Sequence, residues 1–242
     1  MSKTATHIRY VFIFPGGHQE EFQVHLDPVT VEVLDPLPAD LPDWTLLDFH
    51  KCAHCPLNSA NHTHCPLSAR ISGIIDRFTL IISHESMVVE VQTPQRTVTK
   101  ATTAQQGLSA LLGLVMATSG CPITALFRPM AAFHLPFATI EETTYRAASM
   151  YLLAQYYLSR ETGKADLTMR GLEDFYRSIE ILNEHMAKRV RAATKRDAAI
   201  NALVELDFFA KNFTFGMEDQ LEELKYVFQP YLDRLTIGSA QA

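Results

Sequence analysis

The sequence predicts an α+β fold, with a small N-terminal antiparallel meander, a cysteine-rich metal loop and a mainly α-helical body. The prolines give the first indication, because ten of the twelve lie at or before Pro129 and proline is excluded from helix interiors. Apolar and polar residues alternate near the N-terminus, as they do in strands that are buried on one face. From Thr103 onwards the apolar residues recur instead with the period of a helix.

Three alternating segments predict the meander, which we assign to residues 1–45. They run from His7 to Phe14, from Glu21 to Leu26 and from Val29 to Leu34. Pro15-Gly16-Gly17 and Asp27-Pro28 have the composition of the turns that would join them. A further pair of strands, from Met87 to Val91 and from Arg96 to Thr99, predicts a short β-hairpin near 87–99.

The helical body takes up residues 71–242, and a helix from Ser68 to about Leu80 leads into it. Helical periodicity then predicts five helices, over about 104–119, 140–160, 168–193, 196–212 and 217–234. The second of these has the clearest start, because Thr139 and Glu142 stand at the spacing of a capping box. Gly216 suits the position just past a helix end and separates the last two helices.

The charge of the chain is mild, since 21 Lys and Arg against 27 Asp and Glu give a formal net charge of −6. No part of the chain forms the extended basic surface that nucleic acid selects, so nucleic-acid binding is disfavoured. One basic cluster occurs, and acidic residues flank it on both sides, so we interpret it as the solvated end of a helix. It comprises Lys188, Arg189, Arg191, Lys195 and Arg196.

The N-terminus, MSKTATHIRY, has no apolar signal core followed by a cleavage site, which predicts a cytoplasmic protein. The longest uncharged stretch, 101–127, is densely apolar only over 108–117, whereas a membrane span needs about 20 residues. We therefore expect a buried core helix there and no membrane partner. We expect a protein partner or self-association, the latter through the exposed edge of the small sheet.

Residues 46–70 form a loop in which cysteine and histidine are concentrated. Seven of the seventeen residues from His50 to Pro66 are Cys or His, whereas the whole chain has 4 Cys and 10 His. Cys52, Cys55 and Cys65 have the spacing C-x2-C-x9-C. A C-x2-C pair makes a tight turn whose thiolates converge on one ion, and a third ligand further on closes the loop around it.

Cys121 is the fourth ligand that we predict. It follows Gly120 at the end of a predicted buried helix, which would present its thiol from a fixed position. Tetrahedral Zn²⁺, the favoured ion, needs four donors, and His64 or His54 are substitutes that would give a Cys3His site. The same cysteines also suit a 4Fe-4S cluster, because three grouped cysteines and a distant one followed by proline are a common source of four thiolates. Reduced thiols without a metal are the remaining alternative.

A second candidate site surrounds His134, in the segment that joins two predicted helices. A histidine beside a carboxylate is a general acid–base pair, and Glu141 and Glu142 are near it in sequence. Tyr145 and Arg146 fall on the same helix face as Glu142. The alternative is a structural role, because Glu142 completes the capping box and has Arg146 within pairing distance along the helix.

The strings CAHCPL, HCPL, SGCPITALFRPM and FHLPF resemble short cysteine-containing bacterial proteins of unassigned function. The resemblance covers about residues 45–160. It implies no activity, so no residue role follows from it.

Three functions are compatible with these residues. The first is a cytoplasmic metal-binding protein with a four-cysteine zinc site, acting as a regulator or through contact with another protein. The second is an iron–sulfur redox or gas sensor, or an electron carrier, at the same cysteines. The third is a metal-dependent enzyme that uses His134 with Glu141 or Glu142. Acyl transfer and phosphate cradling have no support, since neither G-x-S-x-G nor G-x-x-x-x-G-K-[ST] occurs.

Overall fold

Four of the five predicted strands form one four-stranded antiparallel sheet. The computed structural model describes residues 5–239, with side chains to residue 234. Its strands are β1 (Thr6–Ile13), β2 (Gln19–Leu26), β3 (Ser86–Gln92) and β4 (Thr97–Thr103). Their order across the sheet is β2-β1-β3-β4. The hairpin predicted near 87–99 is therefore confirmed, and it extends the sheet that the N-terminal strands begin.

One face of the sheet is apolar, which accounts for the alternation in the sequence. Tyr10 lies opposite Phe22 on one side and Val91 on the other, and Phe12 lies opposite Val89. All five side chains are buried. A shift of the pairing by one residue would turn these side chains towards solvent, so the burial of this face fixes the register.

The predicted third strand of the meander, from Val29 to Leu34, is wrong. The Asp27 carboxylate accepts hydrogen bonds from the main-chain N–H groups two and three residues further on, at 2.8 and 2.7 Å. The chain therefore turns tightly after Asp27, and only an isolated bridge between Leu26 and Val33 remains. A local bond from a side chain to the main chain has replaced the strand ladder.

Seven α-helices lie within residues 5–239. They are α1 (Pro66–Arg77), α2 (Ala104–Ala117), α3 (Arg128–Ala132), α4 (Ile140–Thr162), α5 (Arg170–Ala193), α6 (Ala198–Glu223) and α7 (Lys225–Ser239). The predicted capping box at Thr139 and Glu142 is formed in both directions. The short helix α3 was not predicted, because five residues are too few to show a helical period.

Helix α6 is interrupted at the position that the sequence predicts. Gly216 has non-helical backbone angles (φ −151°, ψ 26°), so two helical segments meet there at a kink within α6. The side-chain amide of Gln220 donates to the carbonyl of Asn212 at 2.8 Å and bridges the kink. The prediction that Gly216 separates two helices is therefore confirmed.

The chain divides into two compact units, each assembled from two stretches of sequence. Unit 1 comprises Met1–Phe137 and Ser178–Ala210, and unit 2 comprises Ala138–Arg177 and Lys211–Ala242. Unit 1 contains the whole sheet, α1, α2, α3 and all four cysteines. The division predicted from the sequence, into residues 1–45, 46–70 and 71–242, describes composition along the chain and stays a prediction.

A single hydrophobic core holds unit 1 together. It combines the apolar face of the sheet with α1, α2 and the unit 1 parts of α5 and α6. The apolar stretch at 108–117 lies within α2, whose side chains there are mostly buried, as predicted. Across residues 5–239, no helix has both the length and the apolar character that a membrane span requires.

Unit 2 has a smaller core built on aromatic rings. Tyr176 stacks on Phe213 with ring centroids 4.2 Å apart and planes within 10°. The Tyr151 hydroxyl donates to Asp166 at 2.9 Å, and Asp166 also accepts from the N–H of Gly171 at 3.0 Å. Asp166 thus holds the start of α5 against α4 within this unit.

Candidate metal centre

The cysteine loop is closed by two short segments that lie side by side, residues 45–47 and residues 63–65. Their contacts are an isolated bridge between Leu46 and His64, a hydrogen bond from the N–H of Leu47 to the carbonyl of Thr63 at 2.9 Å, and one from the N–H of Cys65 to the carbonyl of Thr45 at 2.8 Å. Cys65 is then the N-cap residue of α1, with Pro66 in the first turn. The third cysteine of the motif is therefore fixed both to the loop closure and to a helix.

The C-x2-C pair forms a turn of its own. The N–H of Cys55 donates to the carbonyl of Cys52 at 3.0 Å, and Nζ of Lys51 donates to the carbonyl of Leu57 at 2.6 Å. Both cysteines are partly buried, and Cys52 packs against the core of unit 1. This turn is the local geometry that a C-x2-C ligand pair requires.

Cys121 reaches the same region from the far end of α2. Gly120 has a φ of +86°, a left-handed conformation in which glycine is favoured. A Cβ atom on Gly120 would lie 4.0 Å from Cβ of Pro66. The residue before Cys121 therefore lies beside the residue after Cys65, although the two are far apart in the sequence.

Two of the four thiols, Cys52 and Cys121, have a raised pKa. Burial, followed by the neighbouring Cys65, Cys121 and Cys55, raises the pKa of the Cys52 thiol to about 12. Burial is also the main reason that the pKa of Cys121 is raised, with Cys65 contributing. All four cysteines are free thiols. Without a cation, Cys52 and Cys121 therefore keep their protons at neutral pH.

The thiols are grouped, but they do not form a finished coordination shell. Within residues 5–239, no three His, Cys, Asp or Glu side chains are placed so that they could already hold a metal ion. An electrostatic effect between thiols indicates only that they are near one another, whereas coordination requires donors that converge on one point. Binding of an ion would therefore require the loop side chains to move towards a common centre.

Two histidines of the loop have features of metal ligands. The Thr45 hydroxyl donates to the carbonyl of Pro42 at 2.7 Å, so its oxygen is an acceptor for Nδ1–H of His64, also at 2.7 Å. This bond places the proton of a neutral His64 on Nδ1 and leaves Nε2 with a lone pair. Both ring nitrogens of His54 are buried, with no hydrogen-bond partner among the described residues.

Arg189 is a functional candidate whose burial was not predicted. The prediction that the basic cluster is solvated is wrong at this residue, because Arg189 is only 1% exposed. Its neighbours in the cluster differ, since Lys188 pairs with Glu184 on the helix surface. The missed signal was periodicity, because position 189 follows Leu182 by one heptad and Met186 by one turn, on the buried stripe of α5.

His134 has a tyrosine as its partner. The Tyr10 hydroxyl and Nε2 of His134 are 2.5 Å apart, and Tyr10 is fully buried in the sheet. Burial raises the pKa of Tyr10 well above its ordinary value, so Tyr10 is a neutral hydroxyl. This pair could not be predicted, because nothing in a strand pattern shows which loop residue will cover a buried tyrosine.

The other members of the second candidate site belong to unit 2. Glu142 forms the capping box of α4, and Glu141 is exposed. The ring of Tyr145 lies 6.2 Å from that of Phe228, and burial lowers the pKa of Arg146. These contacts are those of structural residues, and the general acid–base pair stays a prediction.

A family model for a domain of unknown function, DUF6901, matches residues 8–229 of the chain. The chain belongs to this family. The DUF6901 match includes all but the first two residues of the sheet, the cysteine loop and all four cysteines, and it agrees with the resemblance to proteins of unassigned function. No curated protein and no solved structure matches the chain.

Proposed function

We propose that the chain is a metal-binding protein in which Cys52, Cys55, Cys65 and Cys121 hold one ion, with Zn²⁺ favoured. The observation that carries the proposal is the approach of Gly120 to Pro66. It joins the cysteine at the end of α2 to the cysteine at the start of α1. Cys52, in the C-x2-C turn, is in turn close enough to Cys65 and Cys121 for both to contribute to its raised pKa.

The chemistry of the thiols supports a cation as the ligand. Buried thiols with a raised pKa are protonated and inert without a metal, and a divalent ion converts them to thiolates by displacing their protons. Thiolate donors suit Zn²⁺ and iron–sulfur clusters, whereas Mg²⁺ and Ca²⁺ prefer oxygen. A cytoplasmic compartment would keep the four thiols reduced and free for the ion.

A centre with four thiolates has no open position for a substrate or a water molecule, which is the pattern of structural zinc sites. The role that we propose is therefore a regulatory or interaction protein whose loop is stabilised by the ion. The 4Fe-4S cluster is the alternative occupant of the same thiolates. A metal-dependent enzyme would instead need a three-ligand site and a catalytic group beside it.

The test is metal analysis together with a visible spectrum on the full chain, purified without air. We expect about one zinc per chain and a colourless protein, and we expect Cys121→Ser to lose most of the bound zinc. His62→Ala, which changes an exposed residue of the same loop, is the control and should keep it.

A brown protein that contains iron and sulfide would show that the occupant is the 4Fe-4S cluster and not zinc. Wild-type protein that is reduced and folded but binds neither zinc nor iron in stoichiometric amount would refute the proposed function. Full zinc retention by Cys121→Ser would remove that residue from the ligand set.

A further inference from the structure

Arg189 is a buried cation without a bonded anion. Its guanidinium donates to three main-chain carbonyls, those of Trp44 and Leu46 from Nη1, at 2.9 and 2.7 Å, and that of Leu47 from Nη2, at 2.8 Å. Its Nε is buried and has no partner among the described residues. Among residues 5–234 no carboxylate forms an ion pair with it. Carbonyls satisfy donors but leave the positive charge uncompensated.

The thiols of the cysteine loop are the groups that can supply the missing negative charge. Cys65, Cys52 and Cys55 all interact electrostatically with Arg189, ahead of Asp48. Asp48 is exposed, so solvent screens its charge. The three cysteines are partly buried, so an interaction between their charges and the guanidinium is screened much less.

Arg189 also contacts the part of the loop that positions Cys65. Two of the carbonyls that it binds, those of Leu46 and Leu47, belong to the segment 45–47 that closes the loop against residues 63–65, and Trp44 directly precedes that segment. One turn earlier on α5, Nδ1 of His185 lies 3.3 Å from the carbonyl of His50. Helix α5 thus holds the loop at two points within unit 1, both of them ahead of the C-x2-C turn.

We propose that Arg189 is a positioning residue of the thiolate centre, where its guanidinium offsets the negative charge of the bound thiolates and holds the loop that presents them. The inference rests on the proposed function. Four thiolates carry more negative charge than one divalent ion neutralises, so a fixed cation beside them favours the loaded state. The cost of burying Arg189 is then offset when the ion binds.

A purely structural clamp is the competing explanation, and two substitutions separate it from a role of the charge. Arg189→Lys keeps the positive charge but cannot reproduce the fork of three donors, whereas Arg189→Gln keeps amide donors and removes the charge. If Arg189 only held the loop in place, both substitutions would weaken zinc binding to a similar extent. If its charge compensates the thiolates, lysine alone would restore part of the zinc affinity.

The experiment measures the zinc affinity of the full chain by competition with a chelator, for the wild type and both variants. We expect Arg189→Gln to weaken zinc binding by about 10–100-fold, the usual effect of removing a residue that supports metal ligands. Arg189→Lys should recover a substantial part of the loss. Lys188→Gln, on the exposed side of the same helix, should bind zinc like the wild type.

Equal losses in both variants, or wild-type affinity in Arg189→Gln, would overturn this inference while the metal centre stands. Wild-type protein that binds no metal would instead refute the proposed function and this inference with it. If Arg189→Gln does not fold, Arg189→Lys is compared on Co²⁺ loading, where retention of the wild-type thiolate-to-cobalt absorption band with a modest affinity loss supports the role of charge. Loss of that band in folded Arg189→Lys would refute it.

Discussion

A glycine at position 107 lets α2 lie directly against the sheet. A Cβ atom there would come within 2.8 Å of Cγ2 of Val89 and 3.1 Å of Cε1 of Phe12. Both neighbours are fully buried in the core. Gly113, about one turn before the end of α2, differs, because its Cβ would make an ordinary contact of 3.5 Å with Leu206.

We expect Gly107→Ala to lower the free energy of unfolding by about 1–3 kcal/mol, since overpacking displaces the sheet or the helix. Gly113→Ala is the matched variant in the same helix. It should raise the free energy of unfolding by up to about 1 kcal/mol, because alanine favours the helix and space is available. Urea titrations of both proteins measure the difference, and equal effects at the two positions would contradict the packing described for α2.

Single residues also show what the sequence could and could not predict about the site. Cys121 could be chosen because its type is rare, and glycine before it marked a helix end. The side of the loop on which its thiol lies could not be predicted, since it depends on contacts between distant residues such as Gly120 and Pro66. The burial of Arg189 differs from the prediction because a basic run is usually solvated, whereas this residue lies on the apolar stripe of α5.

At the scale of elements, periodicity identifies strands and helices but not their partners. The alternation in β1 and β3 predicted each strand, yet both edges of β1 are equally suited to pairing, and β3 takes the one that β2 leaves free. The failed third strand has a local cause in the Asp27 turn. Such turns compete with strands through one or two side-chain bonds, which a pattern of apolar residues does not register.

The start of α6 is joined to the loop between α1 and β3. The Asp197 carboxylate accepts from the N–H and the hydroxyl of Ser83, at 2.9 and 3.0 Å. The N–H of Arg196 donates to the carbonyl of Thr79 at 3.1 Å. The bonds from Ser83 lower the pKa of Asp197 below its ordinary value.

We expect Asp197→Ala to lower the free energy of unfolding by about 1 kcal/mol at neutral pH, as the loss of a capping acceptor does. Because the folded pKa lies below the unfolded one, the carboxylate stabilises the fold above about pH 4 and loses this effect as the pH falls through the folded value. The difference from the wild type should therefore shrink in acid. Urea titrations across this range measure it, with exposed Asp40→Ala as the control; a difference that grows in acid would contradict the assignment.

At the scale of the whole molecule, the proposed centre lies within one of the two units. All four cysteines, Arg189 and the two candidate histidines belong to unit 1, although α5 and α6 contribute residues to both units. The core of unit 2 is formed by other residues, among them Tyr176 and Phe213. An effect of the metal on stability should therefore begin in unit 1.

Removal of the metal by a chelator should raise amide hydrogen exchange in residues 43–66 and at the facing ends of α1 and α2. The reason is that structural zinc contributes on the order of 10 kcal/mol to the folding of the segment that holds it. We expect exchange in α4 of unit 2 to change much less. Mass spectrometry of peptides before and after chelation provides the comparison. Uniform exchange across both units would show that the ion acts on the molecule as a whole.

The contact of Gly120 with Pro66 also has a consequence for biosynthesis. Helix α1, the β3–β4 hairpin and helix α2 all lie between these two positions in the chain, so the ribosome releases the first three thiols well before the fourth. Contacts between such distant positions close late, after the intervening structure has formed. We therefore expect a nascent chain to capture an ion loosely at first and to retain it only once the final cysteine has arrived.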